Sequence, residues 1–464
     1  MDQTTEIITS FVDGLVYDRL RDEVVHEAKR RLVDSIGCAI GALDSPPARI
    51  ARAMAEEVSA KNPATVFGSD HASSPEMAAF ANGVMVRYLD FNDMYFSPKG
   101  GGGHPSDIIP AALAVGESLG STGQDVLVAI TAGYEVLGHI TGAARLRERG
   151  WDQGIHVVVA AATAAGKLLG LTREQLGHAV SLAIIPNITT RATRVGELSM
   201  WKGCATAGAS RNGVFAALLA SRGMTGPATP FDGQDGIKHR ITGPFDLEIP
   251  DLPDPFVIEQ IHTKFWPAEY NAQGPIDLVL RLGVGLDPSD IAEINVETYW
   301  LAYSEIGMEP EKWNPRTRET ADHSLPYLLA VALLDGDVRT DSFTEQRISD
   351  PAVHTLMAKI KIAENSGYTE RFSGELMCSI SIRLHDGTIV ADEIAHPKGH
   401  LRNPVTDNEL NSKYDVLING LNDVDRSTCR TVRDALWTIE KAADIAHVLE
   451  PLRGTRPTTG GRSE

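Results

Sequence analysis

From Asn82 to Arg222 the chain keeps helical periodicity while its apolar positions are filled largely by alanine and glycine, and this pairing restricts the fold more than any other feature. The segments Asn82 to Tyr88, Pro110 to Leu119, Gln124 to His139, Val157 to Leu169, Arg173 to Ile184 and Gly203 to Arg222 all repeat apolar residues at three-to-four spacing. Small side chains on such faces let helix axes approach closely, so these segments predict helices packed against one another. Residues 1–60 follow the same rule through Ile7, Ile8, Phe11 and Leu15 and then Val24, Val25, Ala28, Leu32 and Ile36.

Near residue 265 the texture changes. Ile291 to Tyr299, Leu376 to Leu384 and Thr388 to Ile394 alternate and are β-branched, with His385-Asp386-Gly387 as a hairpin turn. Helical patterns lie between them at Ala272 to Leu282, His323 to Leu334 and Pro351 to Lys359, so this stretch predicts an α+β unit. Helical periodicity returns from Asp407 to Leu452, and Arg453 to Glu464 is a polar tail. The expected fold is mainly α with an α+β second domain: residues 1–266 and 400–464 form a large helical domain, and 267–399 form the smaller α+β lid.

Charge limits the partners. In 464 residues, 43 basic side chains face 62 acidic ones, a formal net charge of −19, which argues against nucleic acid or an anionic membrane surface as the partner. An anionic ligand would need a local basic pocket. Cys38, Cys204, Cys378 and Cys429 are scattered without a C-x-x-C pair, so neither a zinc ribbon, an iron–sulfur cluster nor a disulfide framework is indicated. The N-terminus lacks a basic-then-apolar signal pattern and the longest apolar run, His156 to Leu171, is broken by Lys167, so a soluble cytoplasmic protein is expected.

Four segments carry chemistry. In VRYLDFNDMYFSPKGGGGHPSD, Asp90, Asp93 and His104 stand close in sequence around a four-glycine loop, which reads either as a functional loop or as a solvated helix end. His156 opens a very apolar helix, where the dipole favours the neutral, base-competent ring; a capping role is the other reading. Arg191, Arg194 and Lys202 gather ahead of a helix as a carboxylate site or as surface charges paired with acids. Lys264, in TKFWPAEY at the change of texture, either reaches an interdomain cleft or snorkels over aromatic rings, while DHSLPY around His323 reads first as a helix entry.

Together RRLVDSIGCAIGA, YLDFND with GHPSD, AAGKLLGLTREQL, ELSMWKG, KFWPAEYNAQ, DHSLPYLLAVALLDG and HPKGHLRNPVTDNEL resemble the MmgE/PrpD family of 2-methylcitrate dehydratases, cis-aconitate decarboxylases and an iminodisuccinate epimerase. The resemblance implies a homodimer with a cleft for a di- or tricarboxylate, needing no metal or other cofactor. It implies a site of Asp93, His104, His156, Lys202 and Lys264. Glu269 stands where the decarboxylase branch carries histidine, and Met94 to Ser97 lacks the threonine expected shortly after Asp93, which turns the expectation toward the dehydratase branch. The expected reaction is reversible loss of water from a β-hydroxy tricarboxylate such as 2-methylcitrate. Lys202, Lys264 and one of Arg191 or Arg194 would hold carboxylates, with His104 or His156 as base and the other histidine, protonated or relayed through Asp93, as acid. Decarboxylation of cis-aconitate, epimerisation of a small dicarboxylate and a non-catalytic helical scaffold are the alternatives.

Overall fold

The computed structural model describes residues 1–422 and 424–454, and the part of the predicted polar tail beyond Gly454 lies outside the described residues. Nine helices run through the first half: α1 (Gln3–Gly14), α2 (Asp22–Gly41), α3 (Pro46–Glu56), α4 (Pro75–Tyr88), α5 (Ile109–Leu119), α6 (Gly123–Ala143), α7 (Gly154–Leu168), α8 (Arg173–Ile184) and α9 (Ala205–Ser221). Local chemistry fixes several starts. Thr122 and Thr172 form reciprocal capping boxes with Asp125 and Gln175, satisfying amides that the helices cannot bond themselves.

The alanine-rich faces pack as their composition requires. Residues Gly154 to Gly166 of α7 are buried all round, as suits a helix at the centre of a bundle. At Gly213 of α9, a Cβ would come within 2.6 Å of the Val158 carbonyl oxygen and 2.7 Å of the Ala161 methyl on α7, so only glycine permits this crossing. Among the described residues α6 is the one helix long and apolar enough to cross a membrane, but 83% of its apolar window is buried inside the protein, as in a core helix.

Two main cores result. One joins side chains from Ile8 through Ile261 to others from Val405 through Leu452, so both ends of the described chain share it. The second runs from Trp266 to Ile382 and combines α10 (Gln273–Leu282) and the helix Leu325–Asp335 with a four-stranded sheet. Among the described residues the strands form three sheets: β1 (Ala64–Thr65) with β2 (Ala72–Ser73), β3 (Tyr95–Phe96) with β4 (Gly102–Gly103), and β5 (Ile291–Thr298), β6 (Ile360–Glu364), β7 (Cys378–Leu384) and β8 (Ile389–Ile394) in the order β6-β5-β7-β8. The β7–β8 hairpin turns at Asp386-Gly387, with Gly387 at φ 92°. The fold is mainly α with a small sheet region.

The sequence pattern misses β6. Its residues Ile360 to Glu364 pair parallel to β5 at the sheet edge, and only Ile360 is buried, so the alternation that marks a strand is weak there. A crowded helix crossing gives a direct test of the packing. Gly213→Ala is expected to lower the unfolding free energy by about 1–3 kcal/mol in urea titration, the usual cost of overpacking a tight interior.

Candidate active site

Asp90 organises the region between the two cores. It follows α4 in the left-handed conformation, at φ 51°, a position that aspartate tolerates better than bulkier residues. The turn buries its carboxylate among cations: Arg87 donates to Oδ1, the Lys264 ammonium lies 2.9 Å from the same oxygen, and Lys202 lies 3.7 Å from Oδ2. Lys264 also donates to the Asp90 carbonyl at 2.8 Å. Burial opposes the charge on Asp90, but Arg87, Lys202 and Lys264 outweigh it and hold the carboxyl well below its usual range.

Beside this cluster opens a cavity of about 590 Å³ lined from both cores, by His104, His156, Arg191 and Arg194 on one side and Glu269, Tyr299, Glu305 and His323 on the other. Lys264 and Asp90 reach its wall, whereas Asp93 and Lys202 are not among the lining residues. Asp93 instead braces the loop that carries His104. Its carboxylate accepts from the Ser106 hydroxyl at 2.6 Å and the Tyr134 hydroxyl at 2.8 Å, and its backbone carbonyl accepts from His104 Nδ1 at 2.5 Å. Gly101 completes this loop at φ 85°, where a Cβ would lie 2.9 Å from the Thr141 carbonyl oxygen.

The histidines are held neutral. Because a carbonyl only accepts, Nδ1 of His104 carries the proton, and Arg87 donates to its Nε2 at 3.0 Å. Burial, reinforced by Arg87 and Lys264, drives this ring well below its ordinary pKa. His156 shares a hydrogen bond between Nδ1 and the Thr141 hydroxyl at 3.1 Å, while its buried Nε2 has no hydrogen-bond partner. Its pKa falls to about 3, and the cause is burial rather than the helix dipole expected from its position at the start of α7. His323 donates through Nδ1 to Asp322 at 2.6 Å and is likewise lowered to about 3 by burial and Lys202.

The cations foreseen in the sequence are all partnered. Lys202 lies 2.9 Å from Asp322, Arg194 donates to Asp152 at 3.0 Å, and Arg191 and Arg147 share the single carboxylate of Glu305. Arg191 and Arg194 occupy a 3-10 turn and Lys202 another, so the group is spread along the wall rather than aimed at one helix start. In a chain of net charge −19, the cavity is lined by Arg87, Arg145, Arg147, Arg191, Arg194 and Lys264 against Asp90, Glu148, Asp152, Glu269 and Glu305, an excess of one cation. Asp90, Asp322 and His323 form the one cluster with metal-ligating spacing among the described residues, but lysine and arginine already neutralise its two carboxylates.

The cavity thus gathers neutral histidines with paired cations and carboxylates, and comparison with known proteins supplies its lineage. The model of the MmgE/PrpD N-terminal domain matches residues 6–250, and that of the MmgE/PrpD C-terminal domain matches residues 266–439. The chain belongs to the MmgE/PrpD family. It is 27% identical to a 2-methylcitrate dehydratase of Cupriavidus necator, over 86% of each chain. It is 26% identical to a cis-aconitate decarboxylase of Mus musculus over 96% of this chain and 92% of the relative, and 26% identical to a 2-methylcitrate dehydratase of Escherichia coli K12 over 85% and 86%. At the level of the MmgE/PrpD family, these relatives support a lyase-type enzyme.

The buried histidines make stability depend on acid. An unfolded histidine takes up a proton near 6.5, whereas folded His156 does so only near 3. Its share of stability is thus complete above 6.5 and is lost as pH falls toward 3. Between pH 7 and pH 5 the loss is about 2 kcal/mol for this one ring. His156→Gln is expected to flatten the pH 7 to pH 5 difference in urea unfolding free energy by that amount; an unchanged difference would contradict the buried neutral ring.

Proposed function

We propose that this protein is a metal-independent hydro-lyase that dehydrates a β-hydroxy tricarboxylate such as 2-methylcitrate to a cis-aconitate-type alkene. The observation that carries the reading is the unpartnered Nε2 of His156, a neutral imidazole nitrogen in a cavity otherwise rich in guanidinium and ammonium groups. A base of this kind removes a proton from the carbon next to a carboxylate. The negative charge that develops on that carboxylate is met by Lys264 and by Arg191 or Arg194, which stabilise it more strongly in a dry site than in water. Lys202 acts at one remove, by fixing Asp322 and Asp90.

In this reading the helical part, residues 1–266 with 400–464, carries His104 and His156, and residues 267–399 close over the substrate as a lid. The working assembly is a homodimer. Support for a partner surface comes from Met200, Trp201 and Phe215, large apolar side chains exposed near or along α9.

Purified protein offered 2-methylcitrate, citrate and cis-aconitate separately tests the chemistry. Rising alkene absorbance from a hydroxy acid is the expected result, and His156→Gln should reduce that rate by about 10²–10⁴-fold. Loss of absorbance from cis-aconitate with release of carbon dioxide would replace this reading with decarboxylation, which the similarity to the mouse decarboxylase keeps as the second reading. A non-reacting tricarboxylate at 100 times its dissociation constant should raise the unfolding free energy by about 2.7 kcal/mol, and no shift with any such acid would favour a helical scaffold.

A further inference from the structure

Elimination of water requires a proton for the departing hydroxyl, and the cavity histidines do not bring one. His104, His156 and His323 are neutral, and the protons of His104 and His323 are held by the Asp93 carbonyl and the Asp322 carboxylate. The carboxyl groups of the cavity are the other source. Asp90 is held well below its ordinary pKa, Asp152 is lowered with Arg194 beside it despite burial, and Glu305 sits between Arg147 and Arg191. Glu148 is exposed at the rim beside Arg145.

Glu269 differs. From its place in the lining, and from the way Asn271 and Tyr299 fix its orientation, we infer that Glu269 is the catalytic residue that protonates the departing hydroxyl, an assignment that rests on the dehydratase reading. Its backbone N–H donates to the Asp322 carbonyl at 2.9 Å, which ties the residue to the buried ion cluster. Asn271 donates to Glu269 twice, from its backbone N–H to Oε2 at 2.6 Å and from Nδ2 to Oε1 at 2.8 Å. The Tyr299 hydroxyl donates to Asn271 Oδ1 at 2.6 Å and so fixes which face of the Asn271 amide meets the carboxyl. Each carboxyl oxygen keeps a further lone-pair direction in which a proton can sit.

The surroundings favour that proton. Lys264 and the Asn271 amide pull toward the charged form, Asp90 and Glu305 push against it, and Arg147, Tyr270 and Tyr299 lie within electrostatic reach. Burial prevails and pushes Glu269 up to about 7, so near neutrality the protonated acid is well populated. In the forward step His156 Nε2 takes the proton from carbon. The C–H electron pair becomes the second bond of the alkene, the C–O bond breaks with its pair on oxygen, and that oxygen takes the Glu269 proton and leaves as water. Glu269 ends as a carboxylate and His156 as an imidazolium, and exchange with solvent resets both. In the hydration direction the Glu269 carboxylate takes the proton from the attacking water while the His156 imidazolium returns its proton to carbon.

The same carboxylate also caps the turn Tyr270–Ala272, so a purely structural role is the alternative. Glu269→Gln separates the two, because glutamine retains an acceptor for the Asn271 amide while losing the acid. The experiment measures kcat/KM against pH in both directions for wild type and Glu269→Gln, corrected for ionisation of the substrate, with affinity for a non-reacting tricarboxylate measured alongside. The wild type should lose dehydration and hydration alike as pH rises through about 7, because the acid–imidazole pair that starts dehydration and the carboxylate–imidazolium pair that starts hydration hold the same number of protons. The variant should lose at least about 100-fold in rate in both directions and lack the limb near 7, with affinity changed less than about threefold. An infrared band of a protonated carboxyl group at neutral pH should vanish with it. A variant that keeps the limb near 7, or more than a third of the rate, would overturn the role of Glu269 while leaving dehydration standing. A wild type that turns over no hydroxy tricarboxylate would overturn both readings.

Discussion

The buried carboxylate of Asp90 is the constraint on which the site depends. An isolated charge in such a position would be neutralised or would unfold the chain, because desolvation costs several kcal/mol per ion. Here Arg87 comes from the last turn of α4, just before Asp90, Lys264 from the segment that joins the two cores, and Lys202 from the turn before α9. Satisfying one carboxylate therefore brings three distant pieces of chain to one point. The left-handed backbone at Asp90 is the local cost of that convergence, offset by the ion pairs it permits.

The same logic continues outward through carboxylate and cation pairs that cross between the cores. Lys202 meets Asp322, and Arg147 and Arg191 meet Glu305. Arg318 reaches back from the second core to the Tyr88 carbonyl. Because a buried pair broken on one side leaves an uncompensated charge, these contacts fix the relative placement of the cavity walls more firmly than apolar area alone would. They also leave few free charges for a ligand, so an arriving carboxylate has to join existing pairs rather than find vacant cations.

Local pattern carried much of this into the sequence. The six alanine-rich helices and the β7–β8 hairpin were legible because their periodicity follows directly from which face is buried. The edge strand β6 was not, since a strand with one buried residue shows little alternation. In the site, His104, His156 and Lys264 stood out as residue types, but their states did not. The partners of Arg194 and Lys202 were not legible, because Asp152 and Asp322 lie 42 and 120 residues away in sequence, a distance over which no local signal reports pairing. Glu269 stood out in the motif as a departure from histidine, while its elevated proton affinity depends on burial created by the fold.

The glycine loop opposite these pairs has a different consequence. With Gly101 pressed against the Thr141 carbonyl and its neighbour Gly100 also at positive φ, part of the cavity wall is bare main chain. A ligand there meets amide and carbonyl dipoles in place of side chains, and point substitution within the loop cannot reshape that surface without moving the backbone. Any difference in ligand preference between this enzyme and its relatives along that wall has to be written at the ends of the loop, in Met94 and Phe96 on one side and Gln153 behind His104 on the other, where side chains again line the cavity.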